Sequence, residues 1–128
     1  MKSAVLSDKV PAAVGPYSSA VLTGCTVYVS GQLPINAATG AMPEGVEAQT
    51  AQSIANIEAL LTECGMSLAN VVKTTVYLKR IEDFSAMNAV YAERFCAPFP
   101  ARSAFAVAAL PKDALVEIEC VACKSPED

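Results

Sequence analysis

The chain has 128 residues, 53% of them hydrophobic, and 13 acidic against 9 basic side chains leave a formal charge of −4. That length and apolar fraction predict one compact domain over residues 1–128, and the acidic balance argues against a broad phosphate-binding surface. The absence of histidine excludes Ser-His-Asp and Cys-His nucleophile systems and any histidine-ligated zinc or iron, so chemistry must rest on carboxylates, Arg, Lys, Tyr, thiols or backbone groups.

The first residues offer no apolar run before Asp8, and no later segment stays apolar for membrane-spanning length, which predicts a soluble protein that is not exported. Residues 18–22 and 26–30 are rich in β-branched and aromatic side chains around Thr23-Gly24-Cys25, predicting a hairpin. Residues 31–45, with their Gly, Pro and Asn, read as a loop. From Glu47 to Cys64 the apolar residues Ala51, Ile54, Ile57, Leu61 and Cys64 recur at threes and fours, and Gly65 supplies a stop, so an amphipathic helix follows. Residues 71–78 read as a strand with Val72, Thr74, Val76 and Leu78 on one face and Lys73, Thr75 and Tyr77 on the other.

Asp83 is placed to cap a second helix whose Phe84, Met87, Tyr91 and Phe95 form an apolar stripe, with Asn88 beside it, ending before Pro98 and Pro100. Residues 102–108 and 115–122 are extended, joined by a turn at Leu110-Pro111-Lys112-Asp113. In the last strand Val116, Ile118, Cys120 and Ala122 face one way, toward the helices, while Glu117 and Glu119 face the other. Residues 125–128 read as a loose tail. The order hairpin, α, β, α, β, β suits an α+β sheet with both helices on one face.

Five cysteines, Cys25, Cys64, Cys96, Cys120 and Cys123, make no regular disulfide framework, which points to free thiols in a reducing cytoplasm. Cys120 and Cys123 have redox-motif spacing, yet on a strand residues three apart diverge to opposite faces, and no helix follows to stabilise a thiolate. Arg102 enters a nearly uncharged strand, where its guanidinium suits either a small carboxylate ligand, held by a bidentate pair, or an internal ion pair. Glu117 alternates with buried neighbours; desolvation there would raise its pKa toward the range of a general base, whereas a solvated outer sheet face would leave it structural. If strands 102–108 and 115–122 paired around their turn, Glu117 would fall near Val107, about 16 Å along the strand from Arg102. Either those strands are not neighbours, or the two residues meet across a subunit boundary.

Val14-Gly15-Pro16-Tyr17-Ser18, Val29-Ser30-Gly31-Gln32-Leu33-Pro34, Pro100-Ala101-Arg102-Ser103 and Leu110-Pro111-Lys112-Asp113 through Glu117-Ile118-Glu119, with Asn88 inside the second helix, resemble the reactive intermediate deaminase family, RidA/YjgF, over almost the whole chain. The resemblance implies a chorismate-mutase-like α+β fold of order β-β-β-α-β-α-β-β, a mixed sheet with two helices on one face, and a homotrimer with ligand sites between subunits. It implies cofactor-free hydrolysis of 2-imino acids, or their enamine tautomers, such as 2-iminobutanoate and 2-iminopropanoate, to 2-keto acids and ammonia. Carried over by motif, Arg102 binds the substrate carboxylate, the Gly31 backbone orients it, Glu117 positions or activates water, and Tyr17, Ser30 and Asn88 line the pocket. Many such deaminases have a cysteine where this chain has Ala104, a change expected to tune substrate choice.

Two other readings stand beside this one. Some relatives carry an endoribonuclease or translation-inhibitor label, which an acidic chain with nine basic residues supports poorly, having little to neutralise a phosphate backbone. A non-catalytic trimer binding small keto acids or a protein partner needs only Arg102, whereas hydrolysis also needs the water that Glu117 would place. No metal, nucleic acid or membrane is expected as a partner.

Overall fold

The computed structural model describes residues 1–125, so the tail expected at 125–128 lies, beyond Ser125, outside the described residues. Six strands and two long helices follow the order β1 (Lys2–Val5), β2 (Ala20–Thr23), β3 (Thr26–Gln32), α1 (Val46–Thr62), β4 (Val71–Leu78), α2 (Phe84–Arg94), β5 (Ala101–Ala106) and β6 (Val116–Cys123). The sheet order is β1-β2-β3-β6-β4-β5, with β4–β5 its parallel pair. This is the mixed α+β sheet and the order that the resemblance implied. The residue pattern alone missed β1, a short edge strand whose first three residues are exposed. Among the described residues no helix is long and apolar enough to cross a membrane.

Alternation predicted the helix-facing side of the sheet. Val76, Leu78, Val116, Ile118 and Ala122 are fully buried against Ile54, Ile57, Leu60 and Leu61 of α1 and Met87 of α2; each such large aliphatic side chain contributes about 1.5–3 kcal/mol by leaving water. One expectation needs correcting: Val72 is exposed and Val71 is buried, because the β4–β6 register slips between Val71 and Lys73 and the extra residue turns outward. Asp83 is a second correction. A 3-10 turn over Ile81–Asp83 has already given it helical dihedrals, so its carboxylate caps nothing and instead accepts from Arg80 Nη2 at 3.2 Å.

The buried face of α1 also carries amides that no apolar periodicity reveals. Asn56 donates to the carbonyls of Leu33 and Ile35 and accepts from Gln52. Gln49 donates to the Pro43 carbonyl and accepts from the Leu115 amide. These bonds satisfy buried polar groups and tie both the 33–43 loop and the segment before β6 to the helix. Cys120 is buried and Cys123 lies on the opposite face, as alternation required. Cys123 Sγ, however, lies 3.3 Å from Cys25 Sγ at the β2–β3 turn.

Candidate active site

Two separate clusters of the candidate residues form on this chain. The first is built by an irregularity in β3: Val29 pairs with Cys120 but Gln32 with Ile118, so three steps on β3 match two on β6 and the strand bulges at Ser30 and Gly31. Bulges re-aim side chains beside functional sites, and here the bulge turns the Gly31 backbone onto the carboxylate of Glu117. A β-carbon at Gly31 would overlap Glu117 Oε2 and stand 2.9 Å from its carboxyl carbon, so only glycine admits the carboxylate at this place. A cleft of about 190 Å³ opens beside Gly31, with Tyr17, Leu33, Ile35 and Lys112 in its wall. Ser30 donates its hydroxyl to the Ser18 carbonyl at 2.7 Å, which fastens the Tyr17 segment to the bulge.

Glu117 shares the open face of the sheet with Tyr77 and Glu119. Burial raises its carboxyl pKa, and the charge of Glu119 raises it further. A carboxylate held partly out of water in this way is a better proton acceptor than a solvated one. Tyr77 is likewise pushed up, by burial first, then by its hydrogen bond to Glu119 and the two glutamate charges.

The second cluster lies on the other face. Arg102 pairs in register with Thr74 and meets α2: its Nη1 donates to Asn88 Oδ1 at 2.6 Å, and its Cζ stands 4.7 Å from the Tyr91 ring centroid and 5.5 Å from that of Phe84. Among the described residues no carboxylate forms an ion pair with it, so its neighbours are an amide and two aromatic faces in place of the internal ion pair. Asn88, Tyr91, Ala92, Phe99, Pro100 and Arg102 line a cleft of about 400 Å³. Such a setting suits a small carboxylate with a hydrocarbon chain. Ala104 packs against the core on this face.

The structure thus brings Asn88 to Arg102, and Tyr17 and Ser30 to Gly31 and Glu117, but keeps the two groups apart. β5 and β6 are not neighbours, because β4 lies between them. Glu117 is level with Tyr77 and Phe105 across the sheet, and Arg102 stands three residues further along β5. Three residues and two strand spacings separate the two α-carbons by about 14 Å, and their side chains leave opposite faces. Tyr91 and Phe84 were read from sequence as core stripe alone; their place beside Arg102 was signalled only by their spacing of three and four residues from Asn88.

The endoribonuclease L-PSP family model matches residues 7–124. The chain is 49% identical over 123 residues to a 2-iminobutanoate/2-iminopropanoate deaminase of Capra hircus, covering 95% of this chain and 90% of that one. Among solved structures it superposes on RidA from an Antarctic Psychrobacter with a TM-score of 0.92 at 45% identity, over 95% of this chain and 99% of that one. It also superposes on Escherichia coli TdcF with bound serine, with a TM-score of 0.91 at 34% identity, over 96% and 99% of the two chains.

Proposed function

This chain belongs to the endoribonuclease L-PSP family, RidA/YjgF, and we propose that it hydrolyses 2-imino acids such as 2-iminobutanoate and 2-iminopropanoate to 2-keto acids and ammonia, in sites shared between the subunits of a homotrimer. The observation that carries the reading is the pair of half-sites: an arginine without a counter-charge among the described residues on one face, and a carboxylate of raised pKa against a glycine backbone on the other. Opposite faces of one sheet cannot converge within a chain. A neighbouring copy supplies the missing half.

In this reading Arg102 of one protomer holds the substrate carboxylate through the N–H groups that Asn88 leaves unused, and the Gly31 backbone of its neighbour orients the imine. Glu117 takes a proton from water as the water oxygen bonds to the imine carbon, the C=N π pair passing to nitrogen, which takes that proton from the Glu117 carboxyl group. The same carboxyl group then serves as proton donor and acceptor while the carbinolamine loses ammonia, its C–N bond breaking as the carbonyl forms. An imine carbon is already electrophilic, so orientation and one modest base suffice without a nucleophilic side chain. Neither a metal nor an organic cofactor enters these steps. Residues 1–128 act as one domain in this scheme, and the exposed thiol of Cys25 fits a cytoplasmic setting.

The test generates 2-iminobutanoate in situ with a dehydratase and follows its residual level with a trapping amine. Acceleration of imine loss by this protein is expected; its absence would favour the non-catalytic, ligand-binding trimer. A second arm refolds Arg102→Ala and Glu117→Gln chains together in equal amounts. Each mixture site needs an intact arginine from one chain and an intact glutamate from the other, so roughly a quarter of wild-type activity returns. No recovery would refute the shared site.

A further inference from the structure

The surroundings of Arg102 go beyond what a carboxylate-binding cation requires. Asn88 fixes one edge of the guanidinium at 2.6 Å, while Tyr91 and Phe84 present ring faces within the cation–π range, at 4.7 and 5.5 Å. Phe84, Asn88 and Tyr91 are four and three residues apart on α2 and so occupy one face of the helix. The Tyr91 ring is itself immobilised: its hydroxyl shares a buried hydrogen bond of 2.7 Å with Thr74 Oγ1, and it packs on Phe95 with ring centroids 4.5 Å apart. Thr74 is the register partner of Arg102 on β4, so the ring is braced from the same strand pair that carries the arginine. Burial raises the Tyr91 phenol pKa, against the opposing pull of Thr74 and Arg102, so the ring stays uncharged at neutral pH and adds no anion to the cleft.

Every group in this seat is neutral. A carboxylate in place of Asn88 would hold the guanidinium equally well and would also neutralise it, competing with any ligand anion. An amide and two rings orient the fork and leave its charge unspent.

We propose that Tyr91, seconded by Phe84 and Asn88, is a positioning residue that fixes the plane and direction of the Arg102 fork and thereby sets the preference for a substrate carboxylate over an uncharged group at the same place. The inference rests on the reading that Arg102 binds the carboxylate of a 2-imino acid. A free arginine side chain samples many rotamers, and ordering it on binding weakens the contact; a braced one has met that cost on folding.

The experiment measures affinity for 2-oxobutanoate and for its uncharged amide, 2-oxobutanamide, by calorimetry, together with kcat and KM for 2-iminobutanoate. Tyr91→Leu keeps apolar volume without a ring face. It is expected to weaken 2-oxobutanoate binding and raise KM by roughly 5–20-fold, with amide binding and kcat changed less than about threefold. Tyr91→Phe, which retains the ring, is expected to restore the carboxylate preference. Asn88→Asp, nearly isosteric, keeps the bond to Arg102 while neutralising it, and is expected to reduce the preference by at least about tenfold. A merely structural role would lower thermal stability and weaken both ligands alike.

Wild-type preference in Tyr91→Leu and Asn88→Asp together overturns the proposal. If Tyr91→Leu does not fold, Asn88→Asp decides alone. If the wild type itself fails to prefer the carboxylate, or Arg102→Ala leaves that preference intact, then the carboxylate role of Arg102 fails as well, which separates the two outcomes.

Discussion

Replacing Gly31 by alanine tests the first half-site through one added methyl group. Gly31 does not occupy the left-handed backbone region, so alanine meets no dihedral penalty. Its β-carbon, however, would sit 2.9 Å from the Glu117 carboxyl carbon and 3.2 Å from Cγ, against ordinary contact at 3.4–4 Å, with Oε2 nearer still. The carboxyl carbon must therefore retreat by about 0.5 Å, and Oε2 by about 1.4 Å, a misplacement at least of the size that costs on the order of 10²-fold in rate. The obstacle is the flexible end of a side chain, so the fold is retained. Gly31→Ala is expected to lower kcat for imine hydrolysis by roughly 10–100-fold, or about 1.4–2.7 kcal/mol in the barrier, with 2-oxobutanoate affinity changed less than about threefold because Arg102 is untouched. Combined with Glu117→Gln it adds little, since both changes act on one carboxylate. The assays are coupled-dehydratase kinetics, calorimetry and thermal melting. Wild-type kcat in a folded Gly31→Ala protein would refute the reasoning, as would full additivity with Glu117→Gln.

Glu117→Gln preserves shape but accepts no proton, so hydrolysis falls by about 10²–10⁴ while keto-acid binding survives; Arg102→Lys loses the planar fork and weakens that binding by roughly tenfold to a hundredfold. Full turnover by the first or unaltered affinity in the second would count against the roles assigned. Because burial and then Glu119 raise the Glu117 pKa, and the ionised form is the base, activity rises with pH through a limb above the ordinary carboxylate range. Glu119→Gln removes the second cause and moves that limb to lower pH, which a pH–rate profile will register; an unmoved limb assigns it to another group. The same raised pKa makes ionisation of Glu117 work against folding, so its contribution to stability is present below the unfolded value and lost as pH rises through the folded one. Burial pushes the Cys120 thiol up to about 12, so under native conditions an alkylating reagent modifies the exposed Cys25 and Cys96 well before Cys120. With oxidised glutathione, Cys25 and Cys123, whose sulfurs are 3.3 Å apart, are expected to lose one hydrogen each to the reagent and join; peptide mapping that finds only mixed disulfides would contradict this.

Much of this protein was legible in residue order. Alternation in 116–122 assigned Glu117 to the open face and Cys120 to the core, and the threes and fours of 47–64 located α1, because period and burial depend on local geometry. The motifs around Tyr17, Gly31, Arg102 and Glu117 carried the family. Tertiary structure alone decided the rest. Insertion of β4 between β5 and β6 is a pairing choice between distant segments, and it removes the hairpin that adjacency in sequence offered. The bulges at Ser30–Gly31 and Val71–Val72 depend on one strand outrunning its partner by a residue, which neither strand encodes by itself. The buried amides of Gln49 and Asn56 break the apolar pattern because their partners lie outside the helix, the Leu33 and Ile35 carbonyls for Asn56 and the Pro43 carbonyl and Leu115 N–H for Gln49. Tyr91 had the same apolar period whether it served the core or Arg102; periodicity reports which side of a helix is covered, and only the packed sheet determines what covers it.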